Sequence, residues 1–207
     1  MDFDKIISKK GKISYNELKY YISQVSLSEF TSNVKHPFIV GKELFQGKLE
    51  RKEEALQGDS TNTMRFNAAD LRKELKGPKI DIGAGDNSQT KITTPEKEGI
   101  SSAIFYLKKQ SYSYEPKKNT FSLGRSEVND IVIADYAISK KHCSIISFFG
   151  KYFITDFGST NGVDINGTLL KPNVKFQLPI NSTITFGRLA FVFLSPTNIY
   201  RTLKREQ

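Results

Sequence analysis

The hydrophobic rhythm of the chain changes twice. Near the start, apolar side chains recur at helical spacing: Leu18, Tyr21, Ile22 and Val25 follow Ser14-Tyr-Asn-Glu17, and Phe30 follows Ser26 with Glu29. Serine three residues ahead of glutamate is a capping-box arrangement, in which the hydroxyl satisfies an orphan amide and the carboxylate reaches back. The spacing predicts two short helices, over 15–24 and 27–34. Pro37 stops the second, and Phe38-Ile39-Val40-Gly41 reads as a short strand. The periodicity then fades. Asn67 and Asp70 can cap one more helix, running through Leu75 to Gly77-Pro78. Residues 77–98 are rich in Gly, Pro, Asp, Asn, Ser, Thr and Lys, with too little apolar surface to offset the entropy of ordering, so a flexible linker is expected.

From Ile100 onward short apolar-rich runs follow one another: Ser102–Leu107, Thr120–Leu123, Ile131–Ile133, Ser144–Phe149, Tyr152–Phe157, Thr183–Phe186 and Ala190–Leu194. Turn signals at Asn129-Asp130, Gly150, Asn161-Gly162, Asn166-Gly167 and Pro179-Ile-Asn181 separate them. Many short strands at close spacing predict a β-sandwich or barrel. The expected organisation is a small helical region over 1–50, a linker over 51–98, a β domain over 99–197 and a basic tail over 198–207.

Composition narrows the function classes. A hydrophobic content of 38% argues against one fully packed core for 207 residues. Cys143 is the single cysteine, so no intrachain disulfide can form and a reducing, cytoplasmic setting is expected. Met1-Asp-Phe-Asp-Lys5 is charged at once and no long apolar run follows, so no signal peptide, membrane span or membrane partner is expected. The net charge of +9 is uneven. Residues 1–100 carry 17 Lys/Arg against 15 Asp/Glu, whereas 101–207 carry 14 against 7. The basic half favours anionic partners and speeds their encounter.

That half also holds a set of phosphate-seeking groups on predicted loops. They run Gly124-Arg125-Ser126, Asn129-Asp130-Ile131-Val132, Ser139-Lys140-Lys141-His142, Asp156-Phe-Gly-Ser-Thr-Asn-Gly162, Asn166-Gly167 and Ile184-Thr-Phe-Gly187. Each is common alone; the six in order are specific. The stretch 121–194 resembles a forkhead-associated (FHA) domain, a phosphothreonine-peptide reader. The resemblance implies a mainly β chain with an FHA-like sandwich in its C-terminal half, preceded by the short helical region and the linker. It says nothing about residues 1–98.

A phosphothreonine carries about −1.5 to −2 charge and three strong acceptor oxygens. Arg125 brings a permanently charged fork that can grip two of them, and Gly124 lets the backbone approach closely. By resemblance Ser139 and Thr160 contact the phosphate, and Asn161 clamps the peptide main chain with its donor and acceptor. Gly162 supplies a tight turn, read from the residues as a hairpin turn. Lys140 stands where the family often has arginine, keeping the charge without the fork. His142 is structural by resemblance, bracing the loops. The residues that vary ligand preference in the family correspond here to Ile145–Lys151 and Val163–Pro172. No catalytic triad, paired carboxylates, metal-ligand set or Walker loop is legible, so no enzyme, cofactor or metal is expected.

The expected function is a non-catalytic phosphothreonine-peptide adaptor in Ser/Thr kinase signalling, with phosphothreonine proteins and a Ser/Thr protein kinase as partners. Two alternatives stand beside it. One is a degenerate FHA scaffold that binds a protein partner without phosphate. The other is a nucleic-acid surface made by Tyr106, Tyr112 and Tyr114 among Lys108, Lys109, Lys117 and Lys118, ranked below the first. In the linker, Thr61 and Thr63 are candidate phosphorylation sites. Their layout resembles that of bacterial FHA proteins whose own phosphothreonine folds back onto the domain.

Overall fold

The computed structural model describes residues 2–44, 103–108 and 119–205. The expected linker over 51–98, its embedded helix, Thr61 and Thr63 lie outside the described residues. Two helices occupy the predicted places, α1 (Tyr15–Gln24) and α2 (Leu27–Asn33), after a 3-10 turn at Phe3–Ile6. The Ser26 hydroxyl accepts from the Glu29 amide at 3.2 Å, as a capping residue should. Ser14 differs from the expectation: it sits at the N-cap of α1 but makes no side-chain cap bond, and only its carbonyl joins the helix, accepting from Leu18 N.

Twelve strands among the described residues form two sheets: β1 (Lys12–Ile13), β2 (Phe38–Leu44), β3 (Ile104–Tyr106), β4 (Thr120–Gly124), β5 (Ile131–Val132), β6 (Cys143–Phe148), β7 (Lys151–Asp156), β8 (Val163–Ile165), β9 (Thr168–Leu169), β10 (Phe176–Gln177), β11 (Thr183–Phe186) and β12 (Leu189–Leu194). The first sheet runs β1-β3-β2-β12-β11-β8-β9, the second β10-β7-β6-β4-β5. All pairs are antiparallel except β4 with β5. The strands missed by the apolar pattern, β1 and β8 to β10, have two or three residues each, too short for alternation to show.

The two sheets face each other across a core that includes Phe121, Leu123, Ile145, Ile154, Ile184, Phe186, Phe191 and Phe193. A second core lies on the opposite side of the first sheet, where the 3-10 turn, α1, α2 and a third helix, α3 (Pro196–Arg205), cover it. Strand β12 shows how one sequence serves both cores. Phe191 and Phe193 enter the sandwich, whereas Val192 and Leu194 join Phe38, Val40, Leu18, Ile22 and Phe30 under the helices. A period of two sends alternate residues to opposite faces, so a strand buried on both faces reads as a continuous apolar run. Two thin cores explain how a chain of modest hydrophobic content packs.

Two boundaries differ from the expected organisation. The N-terminal region contributes β2, which is inserted between β3 and β12, so the sandwich incorporates residues 38–44. The expected basic tail begins inside α3, whose Ile199, Tyr200 and Leu203 are buried while Arg201, Lys204 and Arg205 face solvent. The Tyr200 hydroxyl donates to the Val25 carbonyl at 2.9 Å, tying α3 to the end of α1. No helix among the described residues is long and apolar enough to cross a membrane.

Candidate functional site

Four connections meet at one end of the sandwich: β4–β5, β5–β6, β7–β8 and the β11–β12 turn. Gly124, the last residue of β4, lets the first two close on each other. A Cβ there would stand 2.3 Å from the Lys140 carbonyl oxygen and 2.8 Å from Asn129 Nδ2. The backbones beyond it are joined by hydrogen bonds from Arg125 N to Ser139 O (2.9 Å) and from Ser126 N to Lys140 O (3.3 Å). Arg125 Nε donates to Ile138 O at 3.2 Å, which lays the half-buried guanidinium along this seam.

His142 holds the next layer, and its proton position follows from its partners. The Ser139 amide, which can only donate, meets Nδ1 at 3.1 Å. The ring proton is therefore on Nε2, which faces the Gly162 carbonyl at 3.2 Å. Burial lowers the His142 pKa to about 4, with nearby Asp156 and the Gly162 bond pulling the other way. The ring is neutral at physiological pH and both nitrogens are engaged, so it braces two loops and is not available as a base.

The Ser139 hydroxyl accepts from the Thr160 amide at 3.1 Å and lies 3.4 Å from Thr160 Oγ1. Asn161 Nδ2 donates to Ala137 O at 2.9 Å. Gly162 has φ +77, and a Cβ there would meet Leu169 Cδ1 at 2.7 Å. Arg125, Ser139, Thr160 and Asn161 are thus assembled from three connections, and Lys140 joins them with an exposed side chain. Two hydroxyls, an amide side chain and two cationic side chains make a surface suited to a tetrahedral anion. The long hydroxyl–hydroxyl contact leaves those protons able to turn outward.

Several residues that build the site escaped the sequence reading. Asn129 is 2% exposed, and its side-chain amide donates to Ser126 O and Lys140 O, each at 2.7 Å. It pins the two loops together; its position in the Asn-Asp-Ile-Val run was the available signal. Arg188 grips Asp135 through Nε (3.2 Å) and a terminal nitrogen (2.7 Å), and Asp135 Oδ1 also accepts the Ala137 amide. Asp156, by contrast, reads from the sequence as a turn-bonding acid after a strand, and it does accept from Ser159 N at 3.0 Å.

Three expectations differ from the structure. Asn161-Gly162 is not a hairpin turn, because β7 and β8 belong to different sheets and the pair bridges them. Ile145–Lys151 does not flank the site: Ile145–Phe148 are strand residues, and the β6–β7 turn is about 20 Å away at the opposite end, six residues of strand from His142. Within Val163–Pro172, the Asn166-Gly167 tip points away, and the return past Leu169 comes back beside Gly162. The nucleic-acid surface loses Tyr106, which is buried with its hydroxyl accepting from the Lys35 and His36 amides, and Lys108, which pairs with Asp4 at 2.7 Å. Tyr112, Tyr114, Lys109, Lys117 and Lys118 lie outside the described residues.

The FHA domain family matches residues 121–187, the segment that holds the β4–β5, β5–β6 and β7–β8 connections. This chain contains an FHA domain. Its two sheets form the FHA β-sandwich, and FHA domains are phosphothreonine-peptide-binding modules. An FHA domain-containing protein of Arabidopsis thaliana is 34% identical over 83 residues, 40% of this chain and 21% of that protein. The FHA domain of a Chlamydia trachomatis protein is 29% identical, with 45% of this chain and 85% of that one covered and a TM-score of 0.37. Mycobacterium tuberculosis EmbR in complex with a low affinity phosphopeptide is 26% identical, with 39% and 21% covered and a TM-score of 0.35. The chain thus spans about a fifth of the length of the Arabidopsis relative and of EmbR.

Proposed function

We propose that this FHA domain reads phosphothreonine in partner proteins without catalysis, as an adaptor acting after a Ser/Thr protein kinase. The observation that carries the reading is the meeting of Ser139, Thr160 and Arg125. Groups 14 to 35 positions apart in sequence are held at one rim by Gly124, His142 and Asn129, with the two hydroxyls 3.4 Å apart. In this reading Arg125 and Lys140 supply charge, Ser139 and Thr160 donate to the phosphate oxygens, and Asn161 engages the ligand's main chain. His142 offers no lone pair to a substrate, which supports a binding role over an enzymatic one.

A phosphothreonine peptide array with matched unphosphorylated controls, read on the full chain, tests it. Binding should require the phosphate. Arg125→Ala should remove it, because truncating one partner of a desolvated charge contact costs about 2–5 kcal/mol, more than tenfold in affinity. Circular dichroism on the variant checks that the fold survives. Binding indifferent to phosphorylation would favour the degenerate-scaffold alternative instead.

A further inference from the structure

The N-terminal segment reaches the phosphate-site loops through one side chain. Ser8–Lys12 forms a tight turn: Gly11 N donates to Ser8 O at 2.9 Å, Ser8 N to Lys12 O at 2.9 Å, and Lys12 N to Ser8 Oγ at 3.0 Å. Gly11 has φ +71, and its carbonyl accepts from Tyr106 N at 2.8 Å, which sews the turn to the edge of β3. From this fixed base the half-buried Lys10 extends to the β4–β5 connection. Its Nζ donates to Glu127 O at 2.5 Å and to Asn129 O at 2.9 Å, 117 and 119 positions away in sequence.

The connection is therefore held from two sides. Inside, the Asn129 amide binds Ser126 O and Lys140 O; outside, one ammonium with three donors satisfies two carbonyls that would otherwise face water. Arg125 and Ser126 begin this stretch, and their own amides bind Ser139 O and Lys140 O. Movement of 126–130 is transmitted directly to the cationic and hydroxyl groups of the rim. A short connection with few apolar contacts is the part of a fold that opens most readily, so an added charge-assisted clamp matters here.

We propose that Lys10 is a positioning residue for the phosphothreonine site, and that ligand affinity depends on an N-terminal turn outside the FHA segment 121–187. This rests on the phosphopeptide reading above. The test uses the full chain as wild type, as Lys10→Met, which keeps the aliphatic stem, and as Lys10→Arg, which returns donors. The probe is N-acetyl-phosphothreonine-N-methylamide, titrated by NMR, with amide hydrogen exchange measured on the same samples.

Lys10→Met should weaken probe binding by about three- to tenfold, the weight of one lost hydrogen-bonded clamp. It should also speed exchange selectively at the amides of residues 126–130, with those of β6 and β12 unchanged. Lys10→Arg should restore both. If wild type binds and Lys10→Met binds equally well, the proposal is overturned while the phosphopeptide reading stands. Exchange that rises equally in loop and core also overturns it, since that marks global destabilisation. A wild type that binds neither this probe nor any array phosphopeptide overturns the phosphopeptide reading, and this proposal with it.

Discussion

Acid should weaken this fold through His142 before most carboxylates are titrated. The ring is fully buried and accepts the Ser139 amide on Nδ1, so a second proton would break that bond and place a charge in the core. Its folded pKa is about 4 against an ordinary 6.5. The unfolded chain therefore binds a proton in the window between these values and the native chain does not, so stability falls as pH drops from about 6.5 to about 4. At 1.36 kcal/mol per pKa unit, the full loss is about 3 kcal/mol, of which about 2 kcal/mol is spent between pH 7.5 and pH 5. Urea denaturation of wild type and His142→Asn across that range isolates the contribution. The variant is less stable overall, because asparagine cannot span Ser139 N and Gly162 O, but its stability should vary with pH by about 2 kcal/mol less. His36, whose pKa is also lowered, chiefly by burial, titrates in both proteins and cancels in the difference. Parallel pH profiles, or an NMR titration midpoint for His142 near 6.5, would refute the bracing geometry.

Gly124→Ala should destabilise the fold by about 3 kcal/mol or more, measured as a shift in urea midpoint, because the new Cβ would meet the Lys140 carbonyl at 2.3 Å and backbone cannot yield as a side chain does. If Lys140 serves the phosphate as a point charge, Lys140→Ala should weaken a confirmed phosphopeptide about tenfold or less and Lys140→Arg should hold or tighten it, with stability unchanged in both since the side chain is exposed. An affinity unaffected by Lys140→Ala removes that residue from the site.

Local chemistry determined much of this protein. Ser26 with Glu29, and Leu18, Tyr21 and Ile22 at helical spacing, define α1 and α2 because capping and amphipathic burial act within a few residues. The motif order from Gly124 to Gly187 named the FHA domain because each phosphate-site loop needs its own residue types at its own turn. The helix α3 was read instead as a basic tail, although Ser195 before Pro196 and Ile199, Tyr200 and Leu203 on one face carried its local signal. What only the tertiary structure decided are the pairings between distant segments. Nothing in Phe38–Leu44 states that it will lie between β3 and β12, since a strand apolar on both faces fits any two-sided position. Arg188 reads as an ordinary polar residue, and Asn129 as a motif position without a partner assigned, until the fold brings Asp135 and the Lys140 carbonyl to them. Tyr106 looked like an exposed ring until helices covered it and its hydroxyl found two amides from residues 35 and 36. Periodicity records which side of an element is buried; it does not record what that side is buried against.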